Sequence, residues 1–332
     1  MSHKGQSLDP LLFILYINDI YKASKKLKSY LFADDTNLLY ADKNLKSLET
    51  IVNKELSHIP DWLNANKLSL NIKKSNFVIF HPHQKKLNYK VNLTFFDNNS
   101  NSFISLEQKE YVKYLGVLLD NNLTWKHHTS NIASKISKTI GIIARLRHFV
   151  PIQTLITIYR SLILPHLSYG ITIWGQAAKK YINKLVVLQK RAVRLMYFGQ
   201  YSSHAIPFFI SANILPFDML YFKSVCNLMY DVTNDWTPPN ISNLFITSDK
   251  VHKHQTRSSA KGNYFIEYSR LNKQKNSFTR TGTKIWNSIP LNLRKLSKPS
   301  FKKAVHERLL QILSEEDAYV DLPHLTSKIA RI

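Results

Sequence analysis

The sequence predicts an α+β protein, with helices and β-hairpins mixed over residues 1–120, helices over 121–235, and a linker with a basic C-terminal region over 236–332. Three observations predict it. Short alternating or continuous apolar runs bounded by turn residues, the mark of strands, occupy the first 120 residues. From about residue 121 the apolar residues recur at every third or fourth position, the mark of helices with one buried face. The charge changes at the same point: between 121 and 200 stand twelve basic residues and no Asp or Glu.

In chain order, Leu8-Asp9-Pro10 opens a helix, with Asp9 as cap and Pro10 at the first helical position. Its apolar residues Leu11, Ile14, Leu15 and Ile17 predict that it is buried. The runs Ser29 to Ala33 and Thr36 to Ala41 flank Asp34-Asp35 and predict a hairpin with both acids at its tip. Leu45, Leu48, Val52, Leu56 and Ile59 predict an amphipathic helix ending at Pro60. Strands are expected at Leu68 to Ile72 and Phe77 to Phe80, joined around Lys73-Lys74-Ser75, then at Val91 to Phe96, Phe103 to Leu106 and Tyr111 to Leu119. Three helices follow, marked by Ile132, Ile136, Ile140 and Ile143, by Leu155 to Leu164, and by Leu185, Leu188, Ala192, Val193 and Met196. Pro238-Pro239 lies in a polar linker, and a last helix is expected over 299–314.

The 332 residues suffice for two or three compact units, and a hydrophobic fraction of 44% argues against wholesale disorder. Lys and Arg number 46 against 22 acids, a net charge of +24, which calls for an anionic partner; nucleic acid leads, with a merely soluble basic protein as the alternative. Cys226 is the only cysteine, which excludes an internal disulfide framework and a cysteine-based zinc knuckle. A reducing compartment, nucleus or cytoplasm, is therefore expected rather than secretion. The N-terminus lacks an apolar signal core and no run reaches the length of a membrane span, so no membrane partner is expected. The pairs His81/His83 and His127/His128 have no ligand-spaced cysteines or acids and are expected on the surface, while Trp125 and Trp174 are expected to pack.

Two adjacent carboxylates on a tight turn repel, and a turn chosen for stability alone would favour Asn-Gly or Asp-Gly. A divalent cation removes the repulsion, and Mg²⁺ accepts a few hard oxygen ligands with water and phosphates completing its shell. A solvated polar turn is the plainer reading of Asp-Asp taken alone.

Longer stretches narrow the choice. Tyr30-Leu31-Phe32-Ala33-Asp34-Asp35-Thr36 resembles the F/Y-A-D-D motif of reverse transcriptases, in the form found in non-LTR (LINE-type) retrotransposons of the jockey and CR1 kind. Gly5 to Ile20 is similar to the family block that contacts template and incoming nucleotide, although Lys4-Gly5-Gln6 stands where the family has Gln-Gly-Ser. Asn66 to Ser75 resembles the block whose lysine, here Lys74, lies near the triphosphate. Tyr114-Leu115-Gly116-Val117 followed by Leu123-Thr124-Trp125 resembles the primer-grip strand leading to the thumb, and Ile285-Trp286-Asn287-Ser288-Ile289-Pro290 resembles the family's C-terminal tail.

The resemblance implies a partial polymerase palm over 1–120, a helical thumb and a basic C-terminal region. It implies an RNA-directed DNA polymerase using Mg²⁺ or Mn²⁺, an RNA template, a DNA primer, their heteroduplex and deoxynucleoside triphosphates. Asp34 and Asp35 are then the catalytic metal ligands, Gly5, Gln6 and Lys74 meet the nucleotide, and Tyr114, Leu115 and Gly116 form the primer grip. The family takes another Asp from a strand upstream of the Gly-Gln-Ser block, and the sequence starts only a few residues before that block. The expectation is a truncated polymerase, inactive as an isolated chain; the alternative is a non-catalytic nucleic-acid-binding remnant or exapted protein. Independently of the resemblance, Lys126, Lys135, Lys138, Arg145, Arg147, Lys184, Lys190, Arg191 and Arg194 are expected to bind phosphate backbones, because a merely solvated helix surface mixes charges of both signs.

Overall fold

The computed structural model describes residues 8–97, 101–251, 258, 261–316 and 321–329. The chain divides into two compact units: Met1–Lys113 with Asp120–Leu123, and Tyr114–Leu119 with Thr124–Ile332. Helices joined with small two-stranded sheets make it an α+β structure. Among the described residues no helix is long and apolar enough to cross a membrane.

The first unit contains α1 (Leu8–Ile17), the antiparallel hairpin β1 (Lys28–Phe32) and β2 (Asp35–Leu39), α2 (Leu45–Leu56) and α3 (Ile59–Ala65). A second hairpin pairs β3 (Thr94–Asp97) with β4 (Ser102–Ser105). Asn44 caps α2, its side-chain oxygen accepting from the backbone N–H of Lys46 at 2.9 Å. Pro60 does not end that helix; it sits in the first turn of α3, where its missing N–H costs nothing. The core is Leu27, Val52, Leu56, Ile59, Leu63, Val91, Leu93 and Phe95, with Leu38 and Tyr40 packed against it.

Two further expectations for this unit are corrected. Residues 68–72 form no strand: the backbone turns through a short 3-10 helix, Ile72–Lys74, because the Asn71 side chain and carbonyl both accept from the Lys74 N–H. Helix α1 forms as expected but is not buried, since Leu11, Leu12, Ile14, Leu15 and Tyr16 are exposed and, among its described side chains, only Ile17 is buried. Apolar character runs around that helix, whereas the unit's core closes without it.

β5 (Tyr111–Tyr114) and β6 (Val117–Asp120) form a two-stranded ribbon. The second unit then builds α4 (Lys126–Leu146), α5 (Ile152–Leu162), α6 (Leu164–Ser168), α7 (Ile171–Trp174), α8 (Lys179–Met196), α9 (Ile206–Ser211) and α10 (Phe217–Thr233). The predicted stripes face the core: Ile132, Ile136, Ile140 and Ile143 on α4, and Leu185, Ala192, Val193 and Met196 on α8, are buried, and Leu188 is half-buried against them. Inside this core Gln189 donates to the Tyr159 hydroxyl at 2.8 Å and to the Leu215 carbonyl at 3.0 Å, so the buried amide is partnered.

The same core extends to the C-terminal region. Helices α11 (Phe278–Ser288), α12 (Lys298–Glu316) and α13 (Leu322–Ile329) bury Trp286, Phe301, Val305, Leu309, Ile312 and Leu325 in it. Tyr230 of α10 packs at a tilt against Phe301, 4.7 Å between ring centres, and donates to the Leu296 carbonyl at 2.7 Å. The Trp286-Asn287 motif is a brace: Trp286 is buried, while Asn287 accepts from the Tyr264 N–H at 3.0 Å and donates to its carbonyl at 2.8 Å.

Candidate functional site

The Asp34-Asp35 hairpin has a two-residue loop. Phe32 pairs with Asp35, leaving Ala33 and Asp34 as the turn, so Asp34 sits at the tip and Asp35 is the first residue of the returning strand. Ala33 has φ +50°, a conformation that primed hairpin turns require and that glycine adopts more cheaply. Both acids are exposed. Strand alternation puts Tyr30, Phe32 and Leu39 on the face shared with Asp35, and all three are exposed, while Leu38 on the other face packs on the core.

Glu55 fixes the approach to this hairpin. Buried on α2, its carboxylate accepts from the Ser24 hydroxyl at 2.6 Å and from the backbone N–H of Lys25 at 2.9 Å and Lys26 at 3.2 Å. The Ser24 hydrogen bond, with smaller help from those backbone donors and the Lys26 charge, outweighs burial and holds its pKa below the usual glutamate value. Three donors converge on one carboxylate just before β1, so the strand enters in a fixed position. Nothing in the sequence pattern around Glu55, an acid on an amphipathic helix, distinguishes it from a solvated one.

Among the described residues no cluster of three or more His, Cys, Asp or Glu forms a metal cage. The hard, exposed oxygens of Asp34 and Asp35 fit a divalent cation as part of an open shell, with water or phosphate oxygens completing it. Lys74 is exposed on its 3-10 turn, and Gly5 and Gln6 lie outside the described residues.

In the second unit, Leu115 (φ +44°) and Gly116 (φ +82°) make a type I′ turn between β5 and β6. The Tyr169 hydroxyl donates to the Leu115 carbonyl at 2.6 Å, and a Cβ on Gly116 would lie 3.2 Å from the Tyr169 ring. Next to it the Leu118 N–H donates to Nδ1 of His128 at 3.3 Å, and the His128 ring meets Trp174 edge to face at 5.1 Å. The Trp174 indole N–H in turn donates to the Tyr169 carbonyl at 2.8 Å. His128, expected on the surface, is instead buried, because it lies on the inward face of α4 with Thr129 and Ile132. Burial, and then the charge of Lys135, lowers its pKa to about 4, so the ring is neutral at pH 7.

The basic residues ride on the outer faces of α4 and α8. Lys126, Lys135, Lys138, Arg145, Lys184 and Arg191 are exposed; Arg147, Lys190 and Arg194 are half-buried. Lys135, Lys138 and Arg145 share one face of α4, as Lys180, Lys184 and Arg191 do on α8. The like charges at Lys180/Lys184 and Lys190/Arg194, four apart, each cost roughly 0.2–0.5 kcal/mol that oppositely charged neighbours would have returned. No Asp or Glu occurs from Asn121 to Phe217. Such a surface matches a polyanion.

Comparison with known proteins places relatives over part of the chain. Residues 3–119 match the family described as reverse transcriptase (RNA-dependent DNA polymerase). The chain is 27% identical over 201 residues to the probable RNA-directed DNA polymerase from transposon X-element of Drosophila melanogaster, which covers 58% of this chain and 21% of that protein. It is 24% identical over 208 residues to the RNA-directed DNA polymerase from mobile element jockey of the same fly, again 58% of this chain and 21% of the relative. The jockey polymerase of Drosophila funebris is 34% identical over 86 residues, 25% of this chain and 9% of that protein. The matched stretch thus spans about a fifth of the first two relatives. No solved structure matches the chain.

Proposed function

Because residues 3–119 belong to the reverse transcriptase family, we propose that this chain takes part in RNA-directed DNA synthesis by a mobile element. In this reading the first unit is palm and the basic helices of the second are thumb. The observation that carries it is Asp34-Asp35 held exposed on a hairpin whose inner face and approach are fixed by Leu38 and Glu55. Asp34, at the tip, is the principal metal ligand and Asp35 the supporting one. A bound Mg²⁺ or Mn²⁺ would supply Lewis-acid stabilisation of the charge that builds on phosphate when the primer 3′-hydroxyl attacks a deoxynucleoside triphosphate.

The remaining work is done by the protein's own groups. The Leu115-Gly116 turn, held by Tyr169, positions the primer end. Lys126, Lys135, Lys138, Arg145, Lys184 and Arg191 neutralise backbone phosphates of the RNA–DNA heteroduplex, and Lys74 meets the triphosphate. With two carboxylates in the described site, the isolated chain is expected to bind the heteroduplex without extending it. A second reading, a non-catalytic nucleic-acid-binding protein, is favoured by the acid-free stretch, which serves binding whether or not chemistry follows.

Primer extension on an RNA template with Mg²⁺, using this chain and Asp34→Ala, separates the readings. Extension abolished by Asp34→Ala establishes catalysis and overturns the expectation of inactivity. Steeply salt-dependent heteroduplex binding without extension supports the binding role, and absence of binding refutes both.

A further inference from the structure

The end of α8 departs from ordinary helix termination. The Gly199 N–H donates to the Arg194 carbonyl at 2.8 Å and the Phe198 N–H to the Leu195 carbonyl at 3.4 Å, the paired bonds of a Schellman motif. Its left-handed position, where glycine is preferred, holds Phe198 with φ +56°. A bulky residue there is strained, and the strain brings no core packing, because Phe198 is 56% exposed. The glycine stands one place later, where a Cβ would come within 2.6 Å of the Phe208 ring.

What the exposed ring does contact is a guanidinium and an imidazole. The Arg147 guanidinium lies 5.0 Å over its centre, and His148 meets it edge to face at 5.2 Å, with Arg147 Nε donating to His148 Nε2 at 3.2 Å. Phe149 and Tyr201, one residue beyond His148 and three beyond Phe198, are each 84% exposed. Four residues before Phe198, Arg194 donates to the Ser203 carbonyl at 2.7 Å and, with Lys190, His204 and the apolar Ile206, Phe209 and Pro216, lines a cavity of about 60 Å³. One end of the helix pair therefore combines aromatic faces, a planar cation and a small basic recess, in a stretch without acids.

The geometry points to a single-strand site at this end of the second unit: successive unpaired nucleobases stack on the Phe198, Phe149 and Tyr201 rings while a backbone phosphate enters the Lys190-Arg194-His204 recess. Base stacking on aromatic side chains is sequence-tolerant, since every base has a π face. The assignment rests on the nucleic-acid-binding reading above and gives it a strand preference. Duplex bases are stacked on one another and cannot use these rings, whereas Lys126, Lys135 and Lys184 treat duplex and single strand alike.

Phe198→Gly makes the test sharp, because it removes the ring and the strain together. The full chain and its Phe198→Gly and Tyr201→Ala variants would be titrated with a short single-stranded RNA carrying 2-aminopurine, with the DNA equivalent, and with a heteroduplex of equal length. The expected result is quenching of 2-aminopurine by the parent chain. Single-strand affinity should fall about five- to a hundredfold in each variant, heteroduplex affinity should hold, and the Phe198→Gly unfolding temperature should stay level or rise. If the parent binds the heteroduplex but the variants bind single strands as tightly as it does, or lose both ligands equally, the stacking site is refuted and the broader reading survives. If the parent binds none of the three, the broader reading fails first.

Discussion

The Tyr169 hydroxyl donates to the Leu115 carbonyl across 2.6 Å while its ring lies over Gly116. A tyrosine between two short helices thereby fixes a turn more than fifty positions earlier, and the left-handed backbone at Leu115 and Gly116 is held rather than relaxed.

Gly116→Ala tests that arrangement. A Cβ at φ +82° costs about 1–2 kcal/mol in backbone strain and pushes on Tyr169 at 3.2 Å. Tyr169→Phe, which removes only the hydrogen bond, should cost about 1 kcal/mol. Urea unfolding of both variants measures this, and an alanine variant as stable as the parent would show that the turn relaxes freely.

Acid should weaken the same region through His128. Its folded pKa of about 4 lies below the ordinary 6.5, so the unfolded chain takes up a proton that the folded chain refuses. The group's contribution is full above pH 6.5 and is lost progressively as pH falls toward 4. His128→Asn, which keeps an acceptor for the Leu118 N–H, should flatten this limb in unfolding temperature measured against pH; superimposable limbs would contradict the assignment.

Glu55→Gln should loosen the Asp-bearing hairpin from its base. Exchanging the carboxylate for an amide weakens three hydrogen bonds to a charged acceptor, at a cost of about 1.5–3 kcal/mol. Because the folded pKa is lowered, the stabilisation is present above the ordinary glutamate value of 4.5 and is lost as pH falls through the lowered one. Hydrogen exchange should quicken at Leu27 and along β1, and exchange unchanged there would remove Glu55 from this role.

Charge removal on α8 has a signature of its own. Replacing Lys184, Lys190, Arg191 and Arg194 by glutamine should make the plot of log affinity against log salt shallower by about 0.9 for each duplex phosphate that is no longer neutralised. A lower affinity with an unchanged slope would mean that these cations touch no phosphate.

Trp286→Ala asks whether the C-terminal region belongs to the core of the second unit. A fully buried tryptophan cut to alanine costs about 3–5 kcal/mol, roughly 6 to 20 °C in unfolding temperature for a unit of this size. Calorimetry should show one transition moving as a whole, and a separate small transition moving alone would show that the region folds by itself.

Much of this was legible in the residues. The stripes on α4 and α8, the carboxylate hairpin and the acid-free stretch are local patterns, written in a period of two or of three to four residues and in the order of charges. The flanks of Asp34 and Asp35 make them candidates in the sequence, but Glu55 carries no such mark, because its value lies in three donors some thirty positions away.

By itself, then, the sequence determined the helical stripes of α4 and α8, the Asp34-Asp35 hairpin and where positive charge accumulates, since backbone geometry and charge depend on near neighbours. Tertiary structure decided which apolar faces are covered. It left α1 exposed, buried His128 beside Trp174, drew Trp286 and Phe301 onto α10, and set Phe198 beneath Arg147. Burial needs a partner surface, and each of these residues finds or lacks one in chain distant in sequence, which no local pattern encodes.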